Sequence, residues 1–350
     1  MVYLRKNIEA MAGYTPGEQP GEGERVVKLN TNENPYPPSP QVLRALGDLP
    51  AERLRRYPDP MANKVRDIVA GMFGVRRDQV LCGNGSDELL TLITRALVGE
   101  GEAIAYPTPT YSLYPVLAEI QAARAVEIPT RDDFSLPLDV LAEVKARALI
   151  ICNPNAPTGV FTPVDAIGRL AERFPGVVVV DEAYVDFASD HAMRLAVARP
   201  NVLVLRTLSK SYSLAGLRLG YAVGPAELIK GLEKVKDSYN VDAVSIELAA
   251  AALQDQAWMR ANVEKVCSER ARLVPRLAAI GFAVTPSEAN FILARVPDGD
   301  GRRWYESLKA RGILVRWWNL PRLADKLRIT VGTPDQNDSL LSALRDMLAG

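Results

Sequence analysis

The chain has 350 residues, 48% of them hydrophobic, enough for a large core and for more than one domain. Lysine plus arginine and aspartate plus glutamate each total 42, so the formal charge is zero. That excludes a broad polyanion-binding surface, and nucleic acid is not an expected partner.

Three widely spaced cysteines argue against a disulfide framework or a metal site. The single histidine, His191, leaves little for Ser-His-Asp or His-metal chemistry. No run approaches the roughly 20 apolar residues of a membrane span. The start, "MVYLRKNIEAMAGYTPGE", has no long apolar segment, so no signal peptide is expected and a cytoplasmic location is the simplest reading.

In chain order, residues 1–40 are rich in Gly, Pro and Asn ("GYTPGEQPGEGE", "NTNENPYPPSP") and read as an irregular arm. From about residue 62, helical periodicity alternates with short apolar runs. The predicted strands are "VLCG" (80–83), "AIAYP" (103–107), "AVEIP" (125–129), "ALIICNP" (148–154), "VVVVDE" (177–182), "VLVLRT" (202–207) and "LGYAVG" (219–224). Helices predicted over 62–73, 87–98, 111–120, 137–145 and 163–173 connect the first five of them and precede the first. This is the pattern of an α/β domain with a mostly parallel sheet covered on both faces. Residues 242–280 read as mostly helical. Strand "NFILARV", helix "RRWYESLKAR", strands "ILVRW" and "KLRITVG" and helix "NDSLLSALRDMLA" then suggest a smaller α+β domain. The expected divisions are an arm over 1–40, a large domain over 41–260 and a small domain over 261–350.

Ligands of such sheets gather at the carboxyl ends of strands, so the residues after each run matter. "GNGSDE" follows the first run and opens a helix. Its glycines admit a close backbone approach and the helix start offers unpaired N–H groups, which together make a phosphate cradle. A plain turn capped by Ser86 or Asp87 would look the same. "NPNAPTG" is a proline-fixed loop able to present asparagine amides. "DEAY" places Asp181 at the rim of a buried strand, and "RTLSK" places Lys210 after another, with Arg218 close behind. An unpaired buried ammonium costs several kcal/mol, so Lys210 either snorkels to water or is wanted for its chemistry. A lysine in a dry pocket forms Schiff bases with carbonyls, and an aspartate is the partner a pyridinium nitrogen needs. Lysine, aspartate and phosphate loop at three strand ends point to pyridoxal 5′-phosphate.

With "LNTNENP", "RYPDP", "GNGSDELL", "PTYSLY", "NPNAPTG", "DEAYVDF", "RTLSKSYSLAGLRLGY" and "LRITVGT" in this order, the chain resembles the class I/II, fold-type-I aminotransferases. The likeness is greatest to their histidinol-phosphate branch. The resemblance implies a seven-stranded large domain and a smaller C-terminal one. It implies Lys210 as the Schiff-base lysine and proton shuttle, Asp181 on the pyridine nitrogen and Tyr184 on the phenolic oxygen. Tyr111 would stack on the ring. Gly85, Ser86, Asp87, Ser209 and Arg218 would hold the cofactor phosphate, joined by Tyr57 from a neighbouring subunit in a homodimer with shared sites. Arg316 and Arg328 would grip the substrate anion, with Tyr14, Asn32, Tyr239 and Asn240 lining the same cleft. Ala156 departs from the usual second asparagine of the "NPNNPTG" loop, which leaves Asn155 as the expected amide donor. The implied substrates are L-histidinol phosphate with 2-oxoglutarate, or imidazole acetol phosphate with glutamate. An aromatic amino-acid aminotransferase and a threonine-phosphate decarboxylase are the nearest alternatives.

Overall fold

The computed structural model describes residues 3–15, 17–21, 23 and 25–349. Twelve strands follow in chain order: β1 (Val27–Lys28), β2 (Val80–Gly83), β3 (Ala103–Thr108), β4 (Arg124–Pro129), β5 (Ala148–Cys152), β6 (Val177–Asp181), β7 (Val202–Thr207), β8 (Gly220–Val223), β9 (Ala283–Val284), β10 (Phe291–Arg295), β11 (Ile313–Leu314) and β12 (Lys326–Thr330). Seven of them form one sheet in the order β2-β8-β7-β6-β5-β3-β4. Only β8 runs against the rest, pairing antiparallel with both β7 and β2. The seven predicted runs are therefore the seven strands of the sheet.

The central strands are apolar throughout because both faces are covered. Val178 and Val180 of β6 belong to one buried cluster, with Leu149 and Ile151 of β5 and Val202 and Val204 of β7. Val179, Ile150, Leu203 and Leu205 belong to the cluster on the opposite face. This is the two-residue period of a strand read out in packing. It turns Asp181, one residue past Val180, toward the face that holds Tyr106, Tyr114 and Tyr184.

A separate three-stranded antiparallel sheet, β12-β10-β9, organises the C-terminal part. Its core gathers Ile292, Ile329, Trp304 and Leu340 with Leu273 and Leu277. The helix Gln256–Ala278 serves both units: Met259 packs in the large core and Leu277 in the small one. The expected division at 260/261 thus falls inside one continuous helix, since a helix can bury different turns of its stripe against different cores.

Two further expectations are corrected. The arm is not wholly irregular: Lys6–Ala10 is a short helix, and β1 pairs parallel with β11, Val27 opposite Ile313. Leu29 follows into the small core. The apolar "VVKL" there outweighs the surrounding Gly and Pro. The predicted strand "ILVRW" shrinks to Ile313–Leu314, and Arg316 continues it only as an isolated bridge to Arg328. Among the described residues no helix is long and apolar enough to cross a membrane.

Candidate active site

The carboxyl ends of β3, β5, β6 and β7 and the start of the helix Gly85–Leu97 meet the C-terminal unit around a cavity of about 720 Å³. Ser86, Asp87, Tyr111, Asp181, Tyr184, Ser209, Lys210 and Arg218 line it from the large unit. Arg316 and Arg328 line it from the small one, and Tyr14 and Asn32 from the arm.

Asp181 ends β6 and is buried. Its Oδ2 accepts from Tyr114 Oη at 2.7 Å and its Oδ1 from the Ala183 N–H at 3.2 Å. Burial raises its pKa to about 6, against the lowering pull of the Tyr114 bond. A carboxylate held this way needs a cationic partner, because two hydrogen bonds do not replace its lost hydration.

Lys210 lies beyond β7, half-buried, with Nζ donating to the Thr31 carbonyl at 3.3 Å and 5.6 Å from the Tyr184 ring centroid. Burial, reinforced by the nearby Arg328 charge, lowers its pKa to about 8. Roughly one amine in ten is then neutral at pH 7, where an ordinary lysine would have well under one in a thousand. Tyr184 Oη accepts from Asn32 Nδ2 at 3.1 Å, and burial lifts its pKa to about 12. Its hydroxyl therefore stays a proton donor at neutral pH.

The cradle expected of "GNGSDE" is cleared by glycine. Gly85 opens the helix at φ +78°, and a Cβ there would lie 2.7 Å from Arg218 Nη2. A Cβ on Gly220 would lie 2.7 Å from the Ser86 nitrogen. Arg218 reaches Ser209 Oγ at 3.3 Å and pairs with Asp87 Oδ2 at 3.1 Å. Both side chains of that pair are more than two-fifths exposed, so the pair adds little stability and leaves the guanidinium free to turn to an anion. Tyr111 Oη donates to Asp87 Oδ1 at 3.2 Å, and its ring meets Tyr14 and Tyr114 edge-on at 6.0 and 5.7 Å.

On the opposite wall the antiparallel Arg316–Arg328 backbone bridge puts both arginines on one face of the ladder. Trp318 lies under both, 5.3 Å from Arg316 and 5.2 Å from Arg328, and Phe291 lies 5.3 Å from Arg328. The aromatic faces offset part of the repulsion. Arg328 Nη2 donates to the Asn30 carbonyl at 2.7 Å, while its buried Nε has no hydrogen-bond partner among the described residues. Burial, with Arg316 alongside, lowers its pKa.

Five expected site residues, Asn155, Asn240, Tyr239, Tyr57 and Gly85, do not line the cavity. Asn155 is buried, donating to Pro109 O and Thr158 Oγ1 and accepting from Thr110 Oγ1. Its amide is spent on holding two loops together, and Ala156 faces the cavity instead. Asn240 donates to Cys82 O and Glu88 Oε2, buttressing the cradle from behind. Tyr239 stacks on Tyr57 at 4.6 Å on the outer surface, where Tyr57 is 81% exposed. Gly85 stands just beneath the wall, under Arg218.

Sequence reasoning missed Tyr114, which holds Asp181, and Trp318, which carries both arginines. Tyr114 sits on the apolar face of the helix Leu113–Ile120, where packing tyrosines also sit, so nothing local marks it. The clustering of Trp317 and Trp318 after Arg316 is a faint signal for the second.

A buried carboxylate, a partly neutral lysine, an aromatic slot and a glycine-cleared cationic cradle fit pyridoxal 5′-phosphate. Together with the fold they suit a pyridoxal-phosphate-dependent enzyme. The family model for aminotransferase class I and II matches residues 24–344, and the chain belongs to that family. It is 50% identical over 346 residues to histidinol-phosphate aminotransferase 1 of Nostoc sp., covering 99% of this chain and 98% of that one. It is 44% identical over 350 residues to histidinol-phosphate aminotransferase of Citrifermentans bemidjiense, with both chains fully covered. The crystal structure of histidinol-phosphate aminotransferase from Sinorhizobium meliloti in complex with pyridoxal-5′-phosphate superposes with a TM-score of 0.90. It covers 99% of each chain at 24% identity, a likeness of fold.

Proposed function

We propose that this aminotransferase transfers the amino group of L-glutamate to imidazole acetol phosphate, giving 2-oxoglutarate and L-histidinol phosphate, a step of histidine biosynthesis. The observation that carries the reading is that Arg328 and Arg316 together line the cavity that also holds Lys210. With both arginines on it, the wall suits a phosphate monoester in one half-reaction and a carboxylate in the other, since the planar guanidinium fork binds either. The names of the full-length relatives support the choice of histidinol phosphate.

Bound pyridoxal phosphate supplies an aldehyde that accepts the amino group and a ring that withdraws electrons. Lys210 Nζ would shuttle the proton between the substrate Cα and the cofactor's aldehyde carbon, which its partly neutral state allows. Asp181, steadied by Tyr114, would keep the ring nitrogen protonated. Tyr184, steadied by Asn32, would donate to the phenolic oxygen, and Tyr111 would wall the ring. The N–H groups of Gly85, Ser86 and Asp87, with Ser209 and Arg218, would hold the cofactor phosphate. Tyr14 would close over the substrate. We place the enzyme in the cytoplasm as a homodimer. The outward Tyr57–Tyr239 stack favours contact with a second copy, whose cavity Tyr57 would complete.

The test is a half-reaction screen. The yellow enzyme is mixed separately with histidinol phosphate, phenylalanine, tyrosine and threonine phosphate. Bleaching should be fastest with histidinol phosphate. Faster bleaching with an aromatic amino acid, or carbon dioxide release from threonine phosphate, overturns the assignment.

A further inference from the structure

The roles above leave the arm motif "LNTNENP" partly unused. Its residues touch one reacting group after another. The Asn30 carbonyl accepts from Arg328, the Thr31 carbonyl from Lys210 Nζ, and Asn32 donates to Tyr184. Asn34 instead grips the main chain under the lysine: its Nδ2 donates to the Lys210 carbonyl at 3.1 Å and to the Ser211 carbonyl at 3.2 Å. Its Oδ1 accepts the Tyr36 N–H at 3.1 Å, which fixes the plane of the amide.

The same peptide is held from the other side. Ser211 Oγ donates to Asp186 Oδ2. Asp186 Oδ1 in turn accepts from the buried Arg206 at 2.8 Å, and Arg206 is bound to the buried Glu182 at 2.7 Å. A lysine amine rides on a flexible four-carbon stem, so its position is defined only as well as its Cα. A misplacement of about 1 Å at a reacting group can cost about 10²-fold in rate.

We propose that Asn34 is a positioning residue for Lys210, clamping the 210–211 backbone from the arm against the Asp186–Arg206–Glu182 network. The proposal rests on Lys210 being the reacting amine and is independent of which substrate is used. Donation, not bulk, is what the geometry requires. Asn34→Asp keeps the shape and the acceptor for Tyr36 but turns a carboxylate onto two carbonyl oxygens. Asn34→Ala merely empties the place.

The experiment compares both variants with the parent. In the holoenzyme, kcat should fall about tenfold in Asn34→Ala and further in Asn34→Asp, with KM for glutamate and the phosphate substrate nearly unchanged. In the cofactor-stripped full chain, the pH midpoint for labelling Lys210 with an amine reagent, read by mass spectrometry, should rise from about 8 toward that of an exposed lysine. Asn34→Asp outperforming Asn34→Ala would mean a packing role and overturns the proposal. An unmoved labelling midpoint in both variants overturns it as well. Failure of the substrate assignment would appear in the half-reaction screen and leave the labelling result intact.

Discussion

The two walls of the cavity handle buried charge in opposite ways. On the large-unit wall, Lys210 and Asp181 are both pushed by burial toward their neutral forms, the amine to about 8 and the carboxyl to about 6. On the small-unit wall, Arg328 is lowered too, yet a guanidinium stays charged at any physiological pH. It is kept there by aromatic faces and a backbone carbonyl. Under the proposed function, groups that can shed or gain a proton stand where bonds would be made, and the group that cannot stands where an anion would be held.

Four substitutions test that contrast, from the largest expected effect to the smallest. Lys210→Ala should lower turnover by about 10⁴-fold, because proton transfer at the substrate carbon loses the amine proposed to carry it. Steady-state kinetics would check it, and retained turnover breaks the distinction between the walls. Arg328→Ala should raise KM for glutamate and for the phosphate substrate together, each by about 10²-fold. An unchanged KM for both removes Arg328 from the grip.

The third prediction concerns pH. In the cofactor-free chain Asp181 binds its proton more tightly folded than unfolded, so its contribution to stability falls as pH rises from about 4 to about 6. Asp181→Asn lacks that loss and can still accept from Tyr114. It should therefore be more stable than the parent above pH 6, by up to roughly 3 kcal/mol, with the gap closing below pH 4. Denaturant melts at pH 4 and pH 7 would show it, and a gap independent of pH contradicts the burial argument. The smallest effect is expected of Tyr114→Phe, which removes one hydrogen bond from the carboxylate and should cost about tenfold in kcat. It should also move the acidic limb of the pH profile upward, since that bond lowers the Asp181 pKa.

The same contrast governs what could be read without a structure. Lys210, Asp181 and the "GNGSDE" loop were legible because apolar runs mark buried strands, and parallel strands bring their carboxyl ends to one edge. Asn155 and Asn240 could not be placed from sequence because an amide carries no sign of which partner it will meet, and both are engaged with partners within the large unit. The arm strand was missed because two residues of ladder leave no period to detect. Tyr114 was hidden by chemistry shared with any packing tyrosine.

By itself the sequence determined the α/β order, the family and the strand-end residues, since hydrophobic period and ordered motifs are local properties of the chain. Only the tertiary structure decided that Trp318 underlies two arginines, that Asn34 holds the Lys210 backbone, and that Tyr239 turns outward. The last two depend on contacts between segments more than 170 residues apart, and the first on a strand bridge that no local pattern encodes.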